Sequence, residues 1–358
     1  MKNLTLIIGY AIWLLLMLSN SSVTHSATTE SELIIHTKSV NIGGTLALPY
    51  NRSSDSLIIM LSGSGPQDRD ETLDGFKVFH KISRHLSKAG IPSFRFDDRG
   101  VGDSTGNFGQ STLEEQVQDV NSIIQYFLSH QKFEFKKFIL LGHSQGGIVA
   151  TRVATQREDV VKVILMGAPS VPLIDLVLYQ VRDEYQGKQI DRALVEQDVS
   201  AHNRLMWAIS KNQPIDQARK EFRNATFNVL SALPENINTS HGELVSKATA
   251  KADELSIVYA LPSLTSFLYH DTAKDYADLN IPVLALFGGK DYQVSIEPNK
   301  DVMEKALLNS KSRFRFITYN DANHYFQAAK TGKREEYRAL EHEFVAGFLD
   351  DISNWIKS

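Results

Sequence analysis

The stretch Leu140-Leu141-Gly142-His143-Ser144-Gln145-Gly146-Gly147 decides how the rest of the chain is read. It fits G-x-S-x-G, with Gly142, Ser144 and Gly146 in the fixed places. An apolar run, Phe138 to Leu141, leads in, and a predicted helix from Gln145 to about Thr155 leads out. Strand, sharp turn and helix are the context in which such a serine serves as a nucleophile. Side chains at 142 and 146 would collide with their neighbours in that turn, so glycine is expected at both. The turn would push Ser144 Oγ out at the carboxyl end of a sheet. It would also aim the Gln145 amide at a developing oxyanion, beside the positive end of a helix. The pentapeptide alone also fits an ordinary strand–helix turn with a surface serine. A base, an acid and a second oxyanion donor must therefore be found elsewhere.

Upstream, Ser56 to Leu61 is a nearly continuous apolar run, as in a strand buried on both faces. It ends in the tight loop Ser62-Gly63-Ser64-Gly65-Pro66, whose Ser64 amide is the candidate second oxyanion donor, with Gly63 next. Ile42 to Pro49 reads as a strand with a turn in it. Helical spacing runs from Phe76 to Ala89, a strand from Ile91 to Phe96, and a helix from Thr112 to Phe127 that opens with a Thr112/Glu115 capping box. The charged loop Asp97 to Ser104 reads as a brace beneath the site. Downstream, Ile281 to Phe287 is a strand ending in Gly288-Gly289-Lys290-Asp291, and Phe314 to Thr318 is a strand running into Asn320-Asp321-Ala322-Asn323-His324. Helix is expected over about Asn299 to Leu308 and from Glu335 to Lys357. Strands alternating with helices predict an α/β fold: a mostly parallel sheet with helices on both faces.

A serine hydroxyl needs a neutral imidazole to take its proton, and the imidazole needs a carboxylate on its other nitrogen. Asp291 and His324 stand at late strand ends, and the order Ser144, Asp291, His324 is the Ser–acid–His order of one known arrangement. Asp97, Asp98 and Asp321 are rival acids. His143 should point away from Ser144 across the turn and is assigned packing or hydrogen bonding. The eleven histidines include no H-E-x-x-H, and the Ser62–Pro66 loop lacks the Gly-Lys-Ser/Thr of a nucleotide loop, so no metal and no cofactor is expected.

Composition bounds the class. The 358 residues are 42% hydrophobic and 22% charged, with a net charge of −4 and no basic block, which argues against a nucleic-acid partner. Lys2, the apolar run Leu4 to Leu18 and the polar stretch Ser19 to Thr29 have the layout of a secretory signal peptide. The apolar run is shorter than the roughly 20 residues that span a bilayer. Cleavage is expected after Ser26, with Ala27 as an alternative; an uncleaved anchor is the competing reading. The chain has no cysteine, hence no lipid-attachment cysteine and no disulfide. An exported protein, periplasmic or secreted and off the membrane once the leader is removed, is expected.

From about Ser170 to Asp275 the strand pattern disappears. Leu194, Val195, Val199, Leu205, Met206 and Ile209 fall near one helical face. About a hundred residues are too many for a loop, so a helical lid inserted into the core is expected. The boundaries are a leader at 1–26, core at 27–169, lid at 170–275 and core again at 276–358. Met206, Trp207, Phe267 and Tyr269 are lid residues that could line a pocket.

These residues together resemble exported bacterial α/β-hydrolases grouped with serine aminopeptidase S33-like domains and esterases. The resemblance lies in Leu61-Ser62-Gly63-Ser64-Gly65-Pro66-Gln67-Asp68-Arg69-Asp70, in Arg95 to Ser104, in Gly142 to Gly147, in Gly288 to Asp291 and in Asn323-His324-Tyr325-Phe326-Gln327. It covers the core on both sides of the lid. The segment Glu341 to Val345 departs from the expected pattern. The resemblance implies an α/β-hydrolase fold and a carboxylic-ester hydrolase, with Ser144, Asp291 and His324 as triad and the Ser64 and Gln145 amides as oxyanion hole. Its partner would be a small-molecule ester of short to medium acyl chain. A serine aminopeptidase, or another amide or thioester hydrolase, would need a lid carboxylate for the substrate amine, and Asp183, Glu184, Glu221 and Glu235 are available. A non-catalytic binding module on the same fold is the third reading. The oligomeric state is left open.

Overall fold

Four segments, Ser56–Leu61, Lys137–His143, Val160–Met166 and Val283–Gly288, carry almost no polar side chain, and each is buried along most or all of its length. Such runs can only lie inside a sheet covered on both faces. A computed structural model describes residues 28–130 and 132–358; the leader and its cleavage point lie outside them. In chain order the elements are β1 (Thr28–His36), β2 (Asn41–Pro49), β3 (Ser56–Leu61), a hairpin of β4 (Thr72–Leu73) and β5 (Phe76–Lys77), α1 (Val78–Lys88), β6 (Ser93–Phe96), α2 (Leu113–Ser129), β7 (Lys137–His143), α3 (Gln145–Ala154) and β8 (Val160–Met166). After β8 come α4 (Leu173–Glu184), α5 (Arg192–Ser210), α6 (Asp216–Ala232), α7 (His241–Tyr259), α8 (Pro262–Leu268) and α9 (Thr272–Ala277). The chain then returns through β9 (Val283–Gly288), α10 (Ile296–Leu308), β10 (Phe314–Tyr319) and α11 (Phe348–Lys357).

The main sheet has eight strands in the order β1-β2-β6-β3-β7-β8-β9-β10. The β1–β2 and β2–β6 pairs are antiparallel, and the remaining pairs are parallel. Alternate residues of each strand serve opposite layers. Leu57, Ile59 and Leu61 pack with Val117, Ile124, Ile148 and Met303 from α2, α3 and α10. Ile58 and Met60 pack with Phe79, Ile82, Phe348 and Ile352 from α1 and α11. Each such side chain, fully buried, contributes about 1.5–3 kcal/mol, so the two layers clamp the strand ends that carry the candidate site. The expected fold, a mostly parallel sheet between helices with a helical insertion, is the one observed.

Four local expectations are corrected. The stretch from Thr28 reads in sequence as the tail of a leader, but it is strand β1; its Thr-Thr-Glu-Ser-Glu composition suits a mostly exposed edge strand and hides it from an apolar pattern. β2 is unbroken, and its glycines answer crowding: a Cβ on Gly44 would lie 2.4 Å from the Phe94 ring. The helix starts at Val78 because Asp74-Gly75, with φ of 47° and 92°, turns a short hairpin in front of it. The closing helical region is broken: a 3₁₀ turn covers Arg334–Ala339, and α11 begins after Gly347 at φ 83°. The intervening segment holds the unusual residues Glu341 to Val345, with Val345 N–H donating to the Phe326 carbonyl at 2.9 Å and Phe344 packed on Phe76 and Phe348.

The insertion between β8 and β9 is helical throughout. It has its own core, in which Leu205, Met206, Phe222, Val229 and Leu268 are fully buried. Its last helix, α9, runs two residues past the expected boundary at 275.

Candidate active site

Ser144 is the residue between β7 and α3, with φ 50° and ψ −123°. A non-glycine residue at positive φ is strained, and strain persists only where packing enforces it. The enforcement is visible. Ser144 N–H donates to the Met166 carbonyl at 2.9 Å, and the Ser144 carbonyl accepts from Gly147 N–H at 2.9 Å. Any Cβ on Gly146 would lie 2.3 Å from the Leu61 carbonyl oxygen, so the helix can start this close to β3 only with glycine there. Ser144 itself is partly exposed at the top of the sheet.

Asp291 follows β9 and His324 follows β10. Asp291 Oδ2 accepts from His324 Nδ1 at 2.7 Å. The other oxygen, Oδ1, accepts from the Gln293 and Val294 amides at 2.9 and 2.8 Å. The carboxylate is thus aimed by its own loop, and both side chains are buried. This arrangement keeps a proton on Nδ1 and leaves Nε2 as the basic nitrogen. The rival acids are engaged elsewhere. Asp97 binds Arg69 and the Asp103 amide; burial opposes its charge, but Arg69 and the backbone amides outweigh burial and lower its pKa. Asp98 accepts from Ser62 Oγ at 3.1 Å and from the Gln67 amide at 2.9 Å. It faces a small cavity of about 30 Å³ behind Gly146, and burial pushes its carboxyl up to about 8. Asp321 is exposed. The loop Asp97 to Ser104 is a brace, as expected, with Arg99 gripping Asp119 through two hydrogen bonds.

The loop after β3 passes directly over the serine, since a Cβ on Gly63 would come within 3.2 Å of Ser144 Cβ. Ser64 N–H and Gln145 N–H have no acceptor among the described residues. Gly63 is ruled out as a donor: its amide is spent on Glu71 Oε1 at 2.7 Å. Ser64 is exposed. His143 is buried and turned down into the protein, toward Glu71 and the His324 carbonyl. Sequence reasoning misses Glu71. It lies in the charged run Asp68-Arg69-Asp70-Glu71, and nothing in the spacing tells a buried carboxylate from a solvated one.

The insertion contributes less than expected to this edge. Met206 and Phe267 are fully buried packing residues, so neither lines a pocket. Trp207 is exposed and meets Tyr269 edge-on at 5.3 Å between ring centroids. Glu221 pairs with Arg204, and Glu235 lies by Lys188, both within the insertion. Asp183 and Glu184 act on Tyr292, the residue after Asp291: after burial itself, Asp183 and then Glu184 raise its pKa to about 12.

A strained serine at a strand–helix turn, an aspartate after a later strand and a histidine after the last one define the α/β-hydrolase class. The comparisons agree on the fold. A family model described as serine aminopeptidase, S33, matches residues 74–221, and one described as the dienelactone hydrolase family matches residues 250–349. Esterase EstD of Thermotoga maritima is 23% identical over 318 residues, 87% of this chain and 65% of that protein. A GPI inositol-deacylase of Aspergillus fumigatus is 32% identical over 126 residues, 30% of this chain and 11% of that one. The chain therefore spans less than two thirds of these relatives' length. Among solved structures, the Pyrococcus furiosus esterase Pf2001 aligns over 92% of this chain and 91% of its own, with a TM-score of 0.56 at 14% identity. A proline iminopeptidase from Mycobacterium smegmatis aligns over 91% and 100%, with a TM-score of 0.50 at 15% identity. The chain has the α/β-hydrolase fold.

Proposed function

We propose that the protein is a serine hydrolase that cleaves small carboxylic esters through an acyl-enzyme on Ser144. The observation that carries this reading is the buried 2.7 Å bond between His324 and Asp291 at the sheet edge where Ser144 is held at φ 50°. His324 Nε2 takes the Ser144 hydroxyl proton as Oγ attacks the ester carbonyl. The oxyanion is held by the Ser64 and Gln145 amides, each such donor being worth roughly 3–4 kcal/mol of barrier. His324 then protonates the leaving alcohol, and a water activated by the same nitrogen releases the acid. Asp291 fixes the tautomer and stabilises the imidazolium. No step calls for a metal or a cofactor. The helical insertion acts as a lid that sets acyl preference, favouring short to medium chains. The leader-like residues 1–26 support export to the periplasm or beyond.

Peptidase activity is the second reading, and Asp183 is what favours it: a carboxylate of the insertion, close to Tyr292, could hold a substrate's free amine. Both readings meet one experiment. The mature protein and its Ser144→Ala variant are assayed on p-nitrophenyl esters from acetate to palmitate and on amino-acid anilides. Turnover of short esters, abolished in the variant, is expected. Anilide turnover far above ester turnover would move the assignment to the peptidase, and a protein inert on both would leave the binding module.

A further inference from the structure

Beneath the oxyanion loop lies a second acid–imidazole pair with no part in the reaction just described. Glu71 is 1% exposed and sits at a strained φ of 48°. Its Oε1 accepts from Gly63 N–H at 2.7 Å and meets His143 Nδ1 at 2.7 Å. His143 Nε2 meets the His324 carbonyl oxygen at 3.0 Å. A carbonyl only accepts, so Nε2 carries a proton. Oε1 also accepts the Gly63 amide, Oε2 is buried with no partner among the described residues, and a second proton on Nδ1 makes the 2.7 Å contact with Oε1 an ionic hydrogen bond. His143 is then an imidazolium, and among the described residues it is the only cationic group bonded to Glu71. Burial works against a charged His143, but Glu71 and the His324 carbonyl outweigh it and raise the pKa.

The chain of bonds runs Gly63–Glu71–His143–His324. It ties the amide next to Ser64 to the backbone of the proposed base. The His143 and His324 rings are 4.6 Å apart between centroids. We propose that Glu71 is a positioning residue: through an ionic bond to His143 it holds the oxyanion loop and the His324 loop in register over Ser144. This rests on the esterase reading. Glutamine at 71 could keep the amide bond but not the charge. His143 would then shed a proton and lose either its bond to residue 71 or its bond to the His324 carbonyl.

The test uses full-length Glu71→Gln and wild type, with active sites titrated by an organophosphonate. Per titrated Ser144, kcat on p-nitrophenyl acetate is expected to fall about 10- to 100-fold, with KM changed less than threefold. A residue needed only for folding would lower the titrated fraction and leave kcat per site unchanged. In parallel, nitrogen NMR of histidine-labelled wild type at pH 8, with His143→Asn for assignment, should show His143 protonated on both nitrogens. If Glu71→Gln fails to fold, this spectrum decides alone: a neutral His143 overturns the proposal. Wild-type turnover with kcat per site in Glu71→Gln within twofold overturns the positioning role alone. Wild type inert to esters and to the organophosphonate overturns the esterase reading and the positioning role together.

Discussion

The carboxyl edge of the sheet and the helical insertion bury polar groups in opposite ways. At the sheet edge each buried carboxylate is tied to another loop. Asp291 holds His324, Glu71 holds Gly63 and His143, and Asp97 holds Arg69. In the insertion, the last part of which bonds the core through Asp275 and Arg152, the buried polar cluster around α5 is self-contained. Asp198 accepts from Thr226 at 2.8 Å and lies 3.5 Å from the Tyr185 hydroxyl, while His202 bonds Tyr259 at 2.8 Å. His202 Nδ1 is buried with no partner among the described residues. Networks that cross loops fix geometry between strand ends, whereas a network inside one helical unit fixes only that unit. Substitutions at the sheet edge should therefore cost activity, and substitutions in the insertion should cost stability.

The largest break in this contrast is Asp291→Asn. It preserves the shape of the side chain but presents the wrong hydrogen-bonding group to His324 Nδ1. On the esterase reading, kcat should drop by about 10⁴-fold with a melting temperature close to that of wild type; a drop under tenfold would remove Asp291 from the proposed chemistry.

Phe222→Ala probes the other side. Phe222 is fully buried in the core of the insertion, so its truncation should cost about 3–5 kcal/mol by denaturant unfolding. Turnover per folded molecule should stay within about threefold. A loss of kcat as large as that of Asp291→Asn would show that the insertion positions the reacting groups after all.

A smaller effect separates the two regions by pH. Burial, and then nearby Lys251, push His202 down to about 4, against about 6.5 in an unfolded chain. Above 6.5 both states are neutral and His202 adds no pH dependence. Between 6.5 and about 4 the unfolded chain binds the extra proton, so stability falls on acidification, by about 3 kcal/mol over the window. Asp198, raised chiefly by burial, acts in the opposite sense, so the comparison is made as a difference. Relative to wild type, His202→Asn should lose less stability between pH 6.5 and 4. Equal slopes in urea unfolding would place His202 in a solvated setting.

The same contrast explains which features are legible in the amino-acid sequence. Ser144, Asp291 and His324 each follow an apolar run, and a strand's end is where a parallel sheet presents its side chains. Chain order and strand ends therefore bring Asp291 and His324 together without knowledge of the loops. The insertion offers helical periodicity but no partner for each face, so Met206 and Phe267 look like pocket residues when they are core. β1 is hidden because an edge strand can be polar. Glu71 is hidden because its burial comes from a turn at Asp68–Glu71 and from packing against His143, seventy-two positions away. Long-range pairing of that kind leaves no local periodicity.

The proposed reaction depends on Ser144 carrying the acyl group. Rapid-quench mass spectrometry with p-nitrophenyl acetate tests it most directly. A burst of one p-nitrophenol per active site and an acetylated peptide containing Ser144 are expected, and neither in Ser144→Ala. Ester turnover that continues in Ser144→Ala, with no acyl adduct at this serine in wild type, would contradict it.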